Sequence, residues 1–201
     1  MARKNCTSQT LYESLEFCPG TSILPGIRQK IYSASKSDIV KWPVLPKTAT
    51  NDMKELAVYS GNFEMAADKK WKFICLVPNK GKISAESQGD YPARTFLNKI
   101  EGALHPETDE MAAAFSRQAI TDDMVFLVQQ RNGKFRVVGS EAFPTTVNPS
   151  MDSGEGVDGD FGTTFEVEAT DVCPAPFYTG VIETEDGDIS GETGELIDDG
   201  E

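Results

Sequence analysis

The chain has 201 residues, 39% of them hydrophobic, which is enough for one full-sized domain and too much for a disordered chain. No apolar run nears the ~18 residues of a membrane span. All 19 basic residues lie at or before Arg136, whereas 17 of the 32 acids follow it, and no Lys/Arg cluster of the kind that grips nucleic acid is visible.

The N-terminus, Met1 to Thr10, is polar and lacks the apolar stretch of a secretory signal, so synthesis in the cytoplasm is expected. Gly26 to Ser33 reads as a strand. Trp42 to Glu55, with Pro43 and Pro46, reads as a long connection. Trp42 is either a side chain covering one edge of the core or an aromatic anchor at a subunit interface. Leu56 to Ala66 and Trp71 to Val77 read as partner strands joined by a turn at Ala67–Lys70. Trp71, Phe73, Cys75 and Val77 share one face and Ile74 and Leu76 the other. Apolar residues on both faces place this strand at the centre of a sheet, with Cys75 a small core residue. Pro78 to Pro92 reads as a loop and Arg94 to Gly102 as a strand.

Thr108 can cap a short helix with Asp109 and Glu110 in its first turn, where the helix dipole favours negative charge. Met111, Ala112, Phe115 and Ala119 form its apolar stripe. Met124 to Gln130 and Lys134 to Val138 flank Arg131–Asn132–Gly133, a strong hairpin signal because Asn and Gly tolerate positive φ. Phe143 to Gly162 reads as a Gly/Asp-rich loop. In Thr163 to Thr170 apolar residues alternate with acids, the pattern of a half-buried antiparallel strand. Phe177 to Ile182 closes a domain spanning residues 1–182. Residues 183–201 form an acidic, flexible tail on composition.

Motifs for chemistry are absent. There is no P-loop, no H-E-x-x-H and no G-x-S-x-G. The single histidine, His105, stands between Leu104 and Pro106 in a connector position. Cys6, Cys18, Cys75 and Cys173 form no CxxC pair, which argues against zinc, and disulfides are not expected without export. Asp186, Asp188 and Ser190 followed by Gly191 match the first half of a calcium loop, but Ile197 stands where the bidentate glutamate is required. Asp152, Asp158 and Asp160 do not fit that spacing. The expectation is therefore a non-enzyme without metal or cofactor.

The order of these pieces carries a resemblance. The strand Trp71–Val77 is followed by Gly89–Asp90–Tyr91, Phe96–Leu97–Asn98–Lys99 and the acidic-capped helix. Next come Asp122–Asp123–Met124–Val125–Phe126–Leu127–Val128 and Asn132–Gly133–Lys134–Phe135–Arg136–Val137–Val138–Gly139. Gly159–Asp160–Phe161–Gly162–Thr163–Thr164–Phe165 and Pro174–Ala175–Pro176–Phe177–Tyr178–Thr179–Gly180 end the run. From Cys18 to Ile182 the chain resembles a bacteriophage tail tube (major tail) protein of the Bacteroidetes phage and prophage type.

The resemblance implies a mainly β fold, an antiparallel β-sandwich or half-barrel with one short flanking α-helix. It implies a structural virion protein, made in the host bacterial cytoplasm, that forms hexameric rings stacking into a tail tube for DNA. Its partners would be copies of itself and other tail proteins (tape measure, terminator, and sheath in a contractile tail), with DNA passing without being held and no membrane. Long loops would bind the next ring, making Trp42, Lys47, Asn51, Met53 and Glu55 candidate interface residues. The alternatives are a ring-forming tail terminator or head–tail connector, the inner tube of a contractile injection system, and a calcium-dependent binding module.

Overall fold

The computed structural model describes residues 24–49, 52–105, 109–155 and 161–197. Asn51, Thr108, Asp158, Asp160, Cys6 and Cys18 lie outside them. Across these residues the fold is mainly β, with largely antiparallel sheets and one α-helix.

The strongest apolar stretch becomes the central strand. In β8 (Met124–Gln130), Val125 to Val128 are all fully buried, so both faces are covered. β8 lies between β1 (Ile27–Ser35) and β9 (Phe135–Val138). The Asn-Gly hairpin joins β8 to β9. Gly133 sits at φ +94 with its N–H on Gln130 O, and the Asn132 side chain accepts the Lys134 N–H at 3.1 Å. A Cβ at Gly133 would stand 3.0 Å from Thr193 O, so the turn needs glycine for both conformation and space. Outside β9 lie β12 (Phe177–Tyr178) and β3 (Val58–Tyr59); outside β1 lies β5 (Lys72–Cys75).

A four-stranded sheet faces this six-stranded one. Its order is β10 (Thr145–Asp152), β11 (Gly162–Asp171), β7 (Thr95–Ala103) and β6 (Lys82–Gln88). Alternation sends Phe165, Val167 and Ala169 inward from β11, where they meet Ile31, Ile100, Phe126 and Val128 in the sandwich core. The helix α1 (Asp109–Ala119) closes one margin through Ala112, Phe115 and Ala119, with the Phe115 ring edge-on to Phe165 at 6.1 Å. Met111, expected in the apolar stripe, is exposed. The second face of the six-stranded sheet has its own core of Tyr32, Leu127, Phe135, Phe63, Trp71, Tyr178 and Ile182. Each such fully buried side chain contributes about 1.5–3 kcal/mol.

Several expectations are corrected. Among the described residues β5 is an edge strand, paired with β1 alone; Phe73 is 47% exposed and Cys75 is exposed rather than in the core. Its apolar ends explain the misreading, because Trp71 serves one core and Leu76 the other. Leu56–Ala66 is not its partner. That stretch holds a 3-10 turn at Met53–Ala57, then β3, then β4 (Glu64–Met65), which pairs with β2 (Ile39–Lys41). The expected loops 78–92 and 143–162 contain β6 and β10. Phe177–Ile182 is broken at Gly180, where a Cβ would meet Asn62 Oδ1 at 2.4 Å. The boundary expected after Ile182 falls inside β13 (Val181–Thr184), which pairs with β14 (Gly187–Ser190). Ile182, Thr184 and Ile189 are buried, so the acidic stretch up to residue 190 is part of the packed body.

The chain passes from one sheet to the other between β5 and β6. Leu76 N–H still donates to Gln29 O of β1 at 2.8 Å, while the next residue, Val77, donates to Ala103 O of β7 at 2.8 Å. This corner makes the sandwich a half-barrel on that side.

Candidate assembly surface

Hydrogen-bond parity shows which backbone groups the subunit leaves open. Leu104 N–H donates to Thr163 O at 2.8 Å, so even-numbered β7 residues bond β11 and odd-numbered ones face β6. In the pairing Lys82↔Glu101 through Gln88↔Thr95, the even-numbered β6 residues take those bonds. Ile83, Ala85 and Ser87 therefore aim their N–H and C=O groups away from the sheet. Among the described residues none of them has a backbone partner.

The opposite edge follows from the same parity. β10 bonds β11 through Thr146, Asn148, Ser150 and Asp152, leaving Thr145, Val147, Pro149 and Met151 facing outward. Thr145 N–H donates to Asp123 Oδ1 at 2.8 Å, and Pro149 has no N–H to lose, which is where an edge strand tolerates proline. Four strands, each antiparallel to the next, give a useful symmetry. β10 of a copy rotated beside β6 runs antiparallel to it, so the alternation continues across the junction.

The outer face of this sheet is polar. It carries Glu86, Glu101, Glu166, Glu168 and Asp152 against Lys82 and Lys99. Lys82 pairs with Glu101 at 2.7 Å; Lys99 pairs with Glu168 and reaches Glu166 at 3.6 Å. The hydrogen bond to Glu168 raises the Lys99 ammonium above the usual lysine range, so the cation stays charged. On the inner face Asn98 is fully buried. It donates to Cys173 O at 3.1 Å and accepts the Ala175 N–H at 2.9 Å, fixing the loop that leads to β12.

The six-stranded sheet is better protected. Its β3 end continues into Ser60, which exchanges two backbone bonds with Val44 at 2.8 and 2.9 Å. At the other end, Trp71 N–H donates to Glu183 O at 3.0 Å and Val77 N–H to Ala103 O. Between these two ties, Phe73 and Cys75 face outward with no backbone partner among the described residues. A groove of about 570 Å³ lies beside them, lined by Phe73, Ile74, Cys75, Leu104, Met111 and Phe115 among others.

The residues singled out from sequence are scattered. Trp42 is half-buried and packs edge-on to Phe63, ring centroids 5.2 Å apart, at the margin of the second core. Lys47 is exposed in the loop after it. Met53 and Glu55 sit on the 3-10 turn, whose cap Asp52 accepts the Lys54 N–H at 2.9 Å. Asp186 lies in the β13–β14 turn, and Asp188 and Ser190 lie in β14, an extended hairpin rather than a loop wrapped around an ion. Among the described residues no group of three His, Cys, Asp or Glu side chains could hold a metal, and no helix is long and apolar enough to cross a membrane. Sequence reasoning missed both open edges, β6 and β10. The Thr145, Val147, Pro149, Met151 alternation was the available signal for the second.

Comparison with protein-family models, with curated proteins and with solved structures finds no match to this chain.

Proposed function

We propose that this chain is a non-enzymatic structural subunit that assembles edge to edge through its four-stranded sheet into rings, which stack into a tube. The observation that carries the reading is that, among the described residues, this sheet leaves both long edges open while its outer face is polar and acid-rich. Unpaired edges recruit other strands, and a head-to-tail junction of β6 on β10 closes into a ring when the rotation closes. The ring would line its lumen with the face carrying Glu86, Glu101, Glu166 and Glu168. An acid-rich lining repels phosphate, so DNA passes without being gripped. This fits the phage tail tube role that the resemblance implies, with the virion tail as location and other tail proteins as partners at the two ends.

Negative-stain electron microscopy of the concentrated protein tests it. Hollow tubes of stacked rings are the expected result. Single closed rings would point to a terminator or connector, and particles of subunit size at every concentration would refute assembly.

A further inference from the structure

The two margins of the four-stranded sheet restrict how they can meet. Ile83 lies opposite Ile100 and Val147 opposite Val167, so the odd-numbered residues of β6 and β10 share the inner side of the sheet. The even-numbered residues, Lys82 to Gln88 and Thr146 to Asp152, share the outer side. The odd-numbered residues also carry the outward backbone groups of both strands. A slip of one residue between copies would turn one strand inside out, so only slips of two are open.

We propose a single register for the edge-to-edge junction on whose existence this inference rests: Lys82 opposite the neighbour's Asp152, Ser84 opposite Ser150, and Gln88 opposite Thr146. Three observations select it. It covers all of Lys82–Gln88 with residues of β10, and a slip of two in either direction does not. It sets an ammonium opposite a carboxylate, whereas a slip moves Asp152 to Ser84 or to Lys80 beyond the end of β6. It gives the outward N–H groups of Val147 and Met151 the carbonyls of Ser87 and Ile83, whereas a slip leaves one of them facing Gly81 or Gly89, outside the strand. Pro149 meets Ala85, and its ring pushes the Ala85 carbonyl aside, so the ladder loses that bond and widens at its centre. Either slip would set the same ring against Ile83 or Ser87, so the proline costs every register one bond.

The same register brings Met151 to a cavity. Met151 is 67% exposed although it shares its face with buried Val147. The neighbour's Met151 arrives opposite Ile83, beside a cavity of about 300 Å³ lined by Ile83, Ala85, Gln130, Arg136, Pro174 and Ala175 among others. The Arg136 guanidinium in its wall is fixed by Pro174 O at 3.2 Å, by Ala175 O at 2.8 Å and by the Phe177 ring 4.0 Å away. A flexible thioether fits an irregular opening of this kind.

Disulfide trapping on the full chain tests this. Ser84 and the neighbour's Ser150 would stand about 4.5 Å apart at Cα, within the span of a disulfide. Within one subunit they are three strand spacings apart, roughly 14 Å, so no internal link can form. A Ser84→Cys/Ser150→Cys chain, concentrated and mildly oxidised, should link into a ladder of subunits through the two introduced thiols, as peptide mapping would show. Ser84→Cys/Asn148→Cys and Ser84→Cys/Asp152→Cys, which report the two slips, should give no such ladder. Met151→Ser should weaken assembly about tenfold or more in Kd and leave the subunit's melting temperature unchanged. A ladder from a slipped pair in place of the first would overturn the register and leave edge-to-edge assembly standing. Rings without a link in any pair, or undiminished assembly of Met151→Ser, would also overturn it. Neither links nor rings at any concentration would overturn the assembly reading itself, and the register with it.

Discussion

Ala85→Pro separates assembly from folding. Ala85 is the middle one of the three β6 residues whose backbone faces outward, so its N–H takes no part in the pairing with β7. Proline at this site removes a donor only a neighbour can use, and its ring occupies the space where the neighbour's carbonyl would sit. A net hydrogen bond is worth about 1 kcal/mol, and the blocked approach costs a similar amount or more. The β6–β10 junction should weaken by about 1–3 kcal/mol, or about 5- to 150-fold in Kd. The subunit's own melting temperature should move by less than about 3 °C. Ser84→Pro is the contrasting change. Ser84 bonds Lys99 within the sheet, and losing that ladder bond should lower Tm by about 5–10 °C. Sedimentation velocity over a concentration series, paired with thermal melts, reads both effects. Unchanged assembly by Ala85→Pro, or equal loss of Tm in the two variants, would refute the parity argument and the junction built on it.

Three further outcomes are expected. Ile189→Ala should cost about 2–5 kcal/mol in urea unfolding, because Ile189 is buried in the second core; a change under about 0.5 kcal/mol would return the acidic hairpin to the status of a tail. Asp171 is buried with no partner for Oδ2 among the described residues, and desolvation raises its pKa above the usual carboxylate range. Its charged form therefore weakens the fold above the unfolded-state pKa. Asp171→Asn, which can still accept the Val172 N–H, should stabilise the protein near pH 7, with the gain vanishing as pH falls below about 4; a pH-independent difference would contradict this. Cys173, whose thiol burial pushes up to about 11, should resist alkylation in the folded protein while exposed Cys75 reacts, as peptide mapping after a short iodoacetamide pulse would show.

Legibility in the sequence followed local self-sufficiency. β8, the Asn132–Gly133 turn and β11 could be read because pattern and turn chemistry are complete within a few residues. β5 could not, since Trp71 and Leu76 are buried in two different cores and nothing local distinguishes that from a central strand. The edges β6 and β10 looked like loops because an edge strand with one polar face buries few side chains: in Lys82–Gln88 only Ile83 packs against the core. The hairpin at 181–190 was hidden by its acids, which occupy the exposed positions around Ile182, Thr184 and Ile189. The proposed assembly surface consists of backbone groups, and their direction depends on ladder parity, a property of paired strands that residue types do not encode. Trp42 and the loop to Glu55 stood out because their side chains are conspicuous, yet the structure joins Trp42 to Phe63 rather than to any open edge.

Amide hydrogen exchange at the two margins of the four-stranded sheet, followed from dilute to concentrated protein, addresses the ring junction most directly. Ile83, Ala85 and Ser87 on one side, and Val147 and Met151 on the other, should become protected together as concentration rises, while Ser84 and Glu86 stay protected throughout. Rapid exchange at all five outward amides in the concentrated sample would contradict strand pairing between subunits.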